Sequence, residues 1–421
     1  MTHRLTAAVA ALALAAAACG STPETSAGTP ASSGPAKLAV WIMDGSVTQD
    51  LLKTFETRYE AAHQGVDLDL QIQAWDGIGE RVTAALASTD PPDVIEVGNT
   101  QVAQYAASGG VQDFTAKVAD LKGEDWLPGL AQPGNIDGKQ YGVPWYAANR
   151  VVVYNKDLFA EAGIEAPPKT RDEWLNITTK LNKGGNQGIY LTGQTWYALA
   201  GFVWDEGGDL AVQEGGAWRG ALDTPQALAG MDFYQRLQAL GKGPKDADEA
   251  NPPQHEVFAQ GKVAQIIAVP GVAARVLEVE PKLKDKMGFF PIPGKTADKP
   301  GAVFTGGSDL IVPVASKHQD EAYEVVKALA GEQFQTELAK AMSFVPNRTS
   351  LASVLSGDEG TAAMAAAAAV GRATPNTPNW AAVEATSVIK QYMTAVLTGA
   401  DPATEAKKVS ESIATTLNSG S

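Results

Sequence analysis

The chain has 421 residues, of which 44% are hydrophobic and 19% are charged, so it is long enough for two or three folded domains. Its 48 acidic residues outnumber its 33 basic residues and give a net charge of −15. Nucleic acids and strongly anionic ligands are bound through clustered lysine and arginine, so this balance disfavours both classes of partner.

The first segment, residues 1–18, has the pattern of an export signal. Arg4 lies near its start, and small apolar residues run without interruption from Ala7 to Ala18. This run is too short to cross a hydrocarbon core of about 30 Å, so a retained transmembrane helix is the weaker interpretation. We therefore predict a signal peptide that ends at residue 18.

Cys19, the only cysteine in the sequence, follows this segment directly. The residues 16–19 resemble a bacterial lipobox, with Ala16 at the position where leucine is usual. This predicts that Cys19 is acylated after export and that residues 19–36, rich in Gly, Ser, Thr and Pro, form a flexible linker. The alternative is an ordinary signal peptide in which the cysteine is discarded or remains a free thiol.

Five elements in β-α-β-α-β order follow the linker. Residues 37–43 and 93–97 are mostly apolar, and residues 66–74 alternate between apolar and polar, as in strands. The segments between them carry apolar residues at helical spacing, so the order predicts a parallel sheet with helices on both faces. Ligands bind at the carboxyl ends of the strands in such sheets. The polar residues that follow these strands include Asp44, Asp76, Glu96 and Asn99.

A second α/β unit is predicted from about Arg150 onwards. Residues 151–154 indicate a strand, and Thr170 to Glu173 form a capping box that opens a helix. Further strands are predicted over 189–191, 263–269 and 304–316, and further helices over 225–241, 253–261, 321–342, 362–369, 382–398 and 402–417.

Signatures of catalysis and of metal binding are scarce. The four histidines are scattered, and His255-Glu256 lacks the second histidine of a zinc-binding helix. Residues 306–309 lack the final glycine of a nucleophile elbow. Carboxylates such as Asp205 could form a glycosidase pair, but each is explained more simply as a surface acid or a ligand acceptor. We therefore expect no cofactor, no metal and no enzymatic activity.

The tryptophans carry the strongest indication of a ligand. Several of the nine lie in polar turns, next to carboxylates and amides. Such surroundings suit a sugar, because its C–H faces stack on aromatic rings and its hydroxyls form hydrogen bonds. The pattern favours ligand contact for Trp196 and Trp380, and core positions for Trp41, Trp126, Trp174 and Trp218.

Seven segments of the chain resemble the extracytoplasmic oligosaccharide-binding proteins of ABC importers, the maltose-binding-protein-like family. They are VWIMDGS (40–46), WDGI (75–78), PPDVIEVGN (91–99), PWYAANRVVVYNKDLF (144–159), FAQGKVA (258–264), FTGGSDLIVP (304–313) and TPNTPNWAAVE (374–384). Within the family, the chain resembles the DasA-type lipoproteins of actinobacteria, which bind chitobiose and related N-acetylglucosamine oligosaccharides.

The resemblance implies an α/β, two-lobed, periplasmic-binding-protein-like fold of type II with the ligand cleft between the lobes. The N-terminal lobe would comprise 37–148 plus 302–348, and the C-terminal lobe 149–301 plus 349–421. Trp196 and Trp380 would stack on sugar rings. The other residues that the resemblance places in the cleft are Asp44, Asp76, Glu96, Asn99, Trp145, Asn149, Arg150, Gln194, Gly307, Ser308 and Asn376.

One departure from the family concerns the segment after the predicted strand that ends near Val269. Relatives commonly carry a tryptophan there, whereas this sequence has Pro270-Gly271-Val272. Losing an aromatic platform would remove on the order of 1 kcal/mol of contact with a sugar.

The expected function is that of a monomeric receptor that closes on a neutral oligosaccharide by hinge motion and delivers it to the permease subunits of an ABC importer. It would contact the outer face of the cell membrane only through lipidated Cys19. The alternatives are a receptor for an α-glucoside or for a cello- or maltodextrin, a binder of peptides or polyol phosphates, and an anchored carbohydrate-processing enzyme.

Overall fold

The computed structural model describes residues 36–368, 370–375 and 377–419, so Cys19, the predicted signal peptide and Asn376 lie outside the described residues. Within these ranges, no helix has the length and apolar character needed to span a membrane.

The strands of the described residues are numbered β1 to β13. They are Ala36–Met43, Val66–Gln73, Val94–Gly98, Asn135–Ile136, Lys139–Gln140, Val143–Asn149, Val151–Asn155, Ala211–Glu214, Ala217–Gly220, Gln265–Ala268, Met287–Phe290, Thr305–Ile311 and Val345–Pro346. The α-helices of the same ranges, α1 to α16, are Gln49–Ala62, Ile78–Leu86, Val102–Ala107, Pro128–Gly134, Lys156–Glu161, Arg171–Leu181, Trp196–Asp205, Pro225–Gln238, Gln254–Ala259, Val272–Val279, Gln319–Leu329, Glu332–Met342, Glu359–Ala368, Trp380–Ala385, Val388–Leu397 and Pro402–Leu417.

The larger sheet, as far as the structure describes the chain, has the strand order β13-β6-β12-β3-β1-β2. Strand β1 is parallel to both β2 and β3, which confirms the predicted β-α-β-α-β unit. Strand β12 inserts antiparallel between β3 and β6. A late segment of the chain therefore lies in the centre of a sheet that the early segments begin.

Helices cover both faces of this sheet, because successive side chains of a strand point to opposite faces. Val40 and Ile42 of β1 belong to a core cluster that includes Phe55 of α1. Met43, the next residue of the strand, belongs to a different cluster that includes Val82 of α2. The prediction of helices on both faces is confirmed.

A smaller sheet has β7 at its centre, with β10 and β11 pairing antiparallel on either side. It lies in a third core cluster, which also contains Trp174, Trp196 and Trp380. Only Arg150 separates β6 of the larger sheet from β7 of the smaller one. The chain therefore passes between the two sheets within a single residue.

Local sequence signals explain where several helices begin and end. The predicted capping box is confirmed: the Thr170 hydroxyl accepts from the Glu173 N–H at 3.2 Å, and the Glu173 carboxylate accepts from the Thr170 N–H at 3.3 Å. The single helix predicted over 321–342 is wrong. It is divided into α11 and α12 because Gly331 adopts an extended conformation (φ −77°, ψ 157°) at the N-cap of α12.

The helix predicted over 382–398 is likewise divided, into α14 and α15. Ser387, which precedes α15, lies in the left-handed region with φ 54°. A residue in this conformation cannot continue a right-handed helix, so the chain changes direction there.

Candidate ligand-binding site

Asp44 lies in the turn that follows β1 and is exposed. Its carboxylate accepts a hydrogen bond from the Arg275 guanidinium of α10 at 2.9 Å, and its main-chain carbonyl accepts one from the Trp75 indole N–H at 3.0 Å. Trp75 is 41% exposed, which is unusual for a tryptophan. The segments that follow β1 and β2 therefore meet at one edge of the larger sheet.

Glu96, near the end of β3, is completely buried among internal donors. Its carboxylate accepts from the Met43 N–H at 2.7 Å, from the Ser46 hydroxyl at 2.7 Å and from the Tyr146 hydroxyl at 3.1 Å. Burial raises the pKa of Glu96 to about 7, although each of these hydrogen bonds lowers it. This carboxylate joins the ends of β1, β3 and β6, and its role in the described arrangement is to hold the rim of the sheet.

The turn Asn99–Gln101, directly after β3, is connected to helix α14. Asn99 is buried, and the hydroxyl of Thr100 lies 3.3 and 3.2 Å from the two carboxylate oxygens of Glu384. The Trp380 indole N–H donates to the same carboxylate at 2.9 Å. Burial raises the pKa of Glu384 to about 7, against the effect of these two donors.

Trp196 and Trp380 lie together, with their ring centroids 6.3 Å apart in one core cluster. Trp196 begins α7 and packs against Tyr197 at 3.9 Å, and Tyr197 packs against Phe304 at 4.6 Å. Trp380 is completely buried, Trp196 is nearly so, and Tyr197 is half-buried. The two tryptophans thus support a group of rings whose accessible member is Tyr197.

Arg150 lies over the Tyr197 ring, 4.8 Å from its centroid, and forms an ion pair with Glu249. Among the described residues, the Arg150 Nε and the neighbouring Asn149 Oδ1 are buried without a hydrogen-bond partner. Such orphaned polar atoms are rare in proteins. They indicate a place where a ligand hydroxyl or a water molecule would be bound.

Two of the predicted residues lie at the margins of this arrangement. Asp76 is exposed, and its main-chain carbonyl accepts from Arg81 at 3.0 Å. Gln194 is half-buried before α7, and its amide donates to the Thr394 hydroxyl at 3.0 Å. Both are free to move without disturbing the core, so their contact with a ligand stays a prediction.

Three other predicted residues serve internal packing. Trp145 is completely buried in the core beside the larger sheet, and its indole N–H donates to the Leu329 carbonyl at 3.2 Å. Ser308 is buried with its hydroxyl 3.2 Å from the Tyr146 hydroxyl. At Gly307, a Cβ would lie 2.6 Å from the Tyr146 carbonyl, so close strand packing explains this glycine. These positions do not face the rings around Tyr197.

Gly271 occupies the position where relatives commonly carry a tryptophan. A Cβ at this residue would lie 2.9 Å from the Met342 carbonyl and 2.9 Å from the Phe344 ring. The Phe344 ring in turn stacks on Tyr146, with centroids 4.4 Å apart and planes inclined by 11°. The space for an aromatic platform is therefore filled by a stacked pair from other segments.

Sequence reasoning missed five residues of this region: Thr100, Tyr197, Glu249, Arg275 and Glu384. Two of them carried a signal. Glu384 follows Trp380 by four residues, which places both on one helix face, and Tyr197 adjoins a predicted contact. No metal centre is indicated, since the described residues contain no group of three or more His, Cys, Asp or Glu side chains able to hold an ion.

Comparisons with known proteins agree with this architecture. The chain is 44% identical over 381 residues to the diacetylchitobiose binding protein DasA of Streptomyces coelicolor, covering 88% of each sequence. The structure is similar to the GacH receptor of Streptomyces glaucescens, with a TM-score of 0.81 and 23% identity, covering 91% of this chain and 99% of that one. It is also similar to an ABC transporter solute-binding protein from Thermotoga lettingae, with a TM-score of 0.82 and 21% identity, covering 91% and 100%.

These structural similarities confirm the predicted two-lobed fold of type II. The sequence model of the bacterial extracellular solute-binding proteins matches residues 43–336, which is more than half of the chain. The chain therefore belongs to the family of bacterial extracellular solute-binding proteins.

Proposed function

We propose that the protein is the substrate-binding component of an ABC importer that captures diacetylchitobiose or a related N-acetylglucosamine oligosaccharide. The observation that carries this proposal is the 44% identity to a diacetylchitobiose binding protein, sustained over 88% of both chains. The chemistry of the site supports it independently, because aromatic rings and unpaired acceptors lie side by side.

The ring cluster and the polar groups around it suit a neutral sugar. Tyr197 offers an accessible aromatic face that Trp196 and Trp380 support from behind. Asn149 Oδ1 and the Glu384 carboxylate offer acceptors for hydroxyl or amide groups. A small-molecule site commonly combines a mostly apolar wall with a few convergent polar groups of this kind.

The proposed mechanism is closure of the two lobes around the ligand. Under the proposed lobe boundaries, the Asp44–Arg275 ion pair and the Thr100–Glu384 hydrogen bond each join the N-terminal lobe to the C-terminal lobe. A ligand that contacts both lobes shifts the equilibrium towards closure by its differential affinity for the closed state. The permease would then receive the ligand from the closed protein.

We further propose that the protein acts outside the cytoplasm and is anchored by lipidated Cys19, with residues 20–36 as the linker. The family match to extracellular proteins supports the location. Cys19→Ala should release the protein into the medium of cells that express it, as fractionation and immunoblotting would measure. Retention of this variant at the membrane would contradict the lipid anchor.

The experiment that tests the ligand is titration calorimetry of the mature chain against a panel of neutral sugars. Diacetylchitobiose should bind with a Kd in the micromolar range or lower, which corresponds to about −8 kcal/mol. Stronger binding of maltose or cellobiose would assign the receptor to the other sugar classes. Recovery of unchanged diacetylchitobiose after long incubation is expected, and hydrolysis products would identify an enzyme instead.

A further inference from the structure

Glu384 is fixed relative to the aromatic rings of the candidate site. It follows Trp380 by four residues in α14, so both side chains lie on one face of the helix. The indole N–H of Trp380 donates to Glu384 Oε1 at 2.9 Å. The aromatic ring and the carboxylate therefore form one unit whose internal geometry is set before a ligand arrives.

Thr100 orients the same carboxylate from the turn after β3. Its hydroxyl has one proton and lies within 3.3 Å of both oxygens, so it supplies one hydrogen bond at a time. A carboxylate offers about four acceptor positions, so Trp380 and Thr100 leave about half of that capacity unused. Within the described part of the chain, no lysine or arginine forms an ion pair with Glu384.

The two arginines described at this site are already compensated. Arg150 is paired with Glu249, and Arg275 is paired with Asp44. The raised pKa of Glu384, about 7, has burial as its largest cause and reflects a carboxylate without a counter-charge. An anionic ligand would find no uncompensated cation in either pair, and it would meet the charge of Glu384 in a poorly solvated place.

We propose that Glu384 determines the specificity of this site for neutral ligands, by accepting hydrogen bonds from hydroxyl or amide N–H groups of a sugar that lies against Tyr197. This inference rests on the proposed function and names the residue that selects the ligand class. A neutral sugar supplies donors without adding charge, whereas a polyol phosphate brings negative charge to an unpaired carboxylate.

The test is titration calorimetry of the mature wild-type chain and of Glu384→Gln with two probes, diacetylchitobiose and glycerol 3-phosphate. The matched control is Glu324→Gln, which loses the same charge at an exposed position of α11. Glu384→Gln should weaken the binding of diacetylchitobiose by about tenfold or more, since a hydrogen bond to a charged group is lost. The control should bind as the wild type does, and the wild type should not bind glycerol 3-phosphate.

The thermal midpoint of each variant shows whether it is folded. Should Glu384→Gln not fold, Thr100→Val replaces it, because that change removes a hydroxyl and keeps the carboxylate; it should weaken binding by about threefold, and unchanged affinity would count against the proposal. If Glu384→Gln binds diacetylchitobiose as tightly as the wild type, Glu384 has no selective role and the proposed function stands. If the wild type binds no neutral sugar, both proposals fail. Binding of glycerol 3-phosphate by the wild type would refute selection against anions alone.

Discussion

Two buried glutamates show how the same side chain serves different purposes in one protein. Glu96 accepts from three internal donors, contributed by Met43, Ser46 and Tyr146. Glu384 accepts from Trp380 and Thr100 and keeps acceptor capacity free. Burial raises the pKa of each to about 7, so the pKa does not distinguish them. The number of internal donors does, because it decides whether a carboxylate holds the fold or receives a ligand.

The largest effect on stability is expected from Glu96→Ala. It would leave the Ser46 and Tyr146 hydroxyls and the Met43 N–H without their acceptor, which should lower the free energy of unfolding by about 3 kcal/mol. Urea unfolding of this variant beside Glu384→Ala measures the difference. The second variant should lose about 1 kcal/mol, and equal losses would break the distinction between the two residues.

Asp309 in β12 extends the comparison to a carboxylate without partners, since both of its oxygens are buried and unpaired among the described residues. Burial raises its pKa from 3.8 to about 8. The folded chain therefore holds a proton that the unfolded chain loses, and this contribution to stability falls as the pH rises through that window.

Asp309→Asn removes this titration. The variant should unfold at nearly the same urea concentration as the wild type at about pH 4, and should be more stable by about 2 kcal/mol at about pH 8. Unfolding curves across this range provide the measurement. A difference that does not grow with pH would show that the carboxyl group titrates normally.

Gly271 tests how tightly the surroundings of Glu96 are packed. Gly271→Ala would place a Cβ at 2.9 Å from the Met342 carbonyl and from the Phe344 ring. Because overpacking displaces such neighbours, the thermal midpoint should fall by an amount equivalent to about 1 kcal/mol. Gly261→Ala is unsuitable as a control because Gly261 has a φ of 74°, whereas Gly129→Ala meets no atom within 4 Å and should have little effect on packing. An unchanged midpoint for Gly271→Ala would show that the Phe344 and Tyr146 pair yields readily.

The smallest effect is expected at the exposed edge, from Arg275→Ala. The ion pair with Asp44 is 27% and 49% exposed, so its loss should change the free energy of unfolding by less than about 1 kcal/mol. The affinity of the wild type for its sugar should fall slightly with rising salt, and that of the variant should not. Identical salt dependence of both proteins would separate this ion pair from ligand binding.

The sequence alone was sufficient for the elements that local patterns define. Alternation in β2, helical spacing in α1 and α2, and the capping box at Thr170 each depend on residues close together in the chain, and the structure agrees with them. The single helix over 321–342 failed because one glycine outweighed a continuous apolar pattern.

The candidate site was predictable only in part. A strand end correctly suggested that Glu96 lies at the rim of the sheet, but its donors Ser46 and Tyr146 each lie 50 residues away in the chain. No local pattern reveals that these groups saturate the carboxylate. Glu384 was missed for the opposite reason, because an acid within a helix ordinarily reads as a solvated surface residue.

Arg150 is the only residue between β6 and β7, and its side chain also lies over Tyr197. A change in the angle between the two sheets must be accommodated by the backbone torsions at this junction, together with the other crossing segments. The residue that bends is therefore also a residue that contacts the ring where we place the sugar. Occupancy and bending would be read by one side chain, so that a substitution at Arg150 would alter the rate of closure and the affinity together.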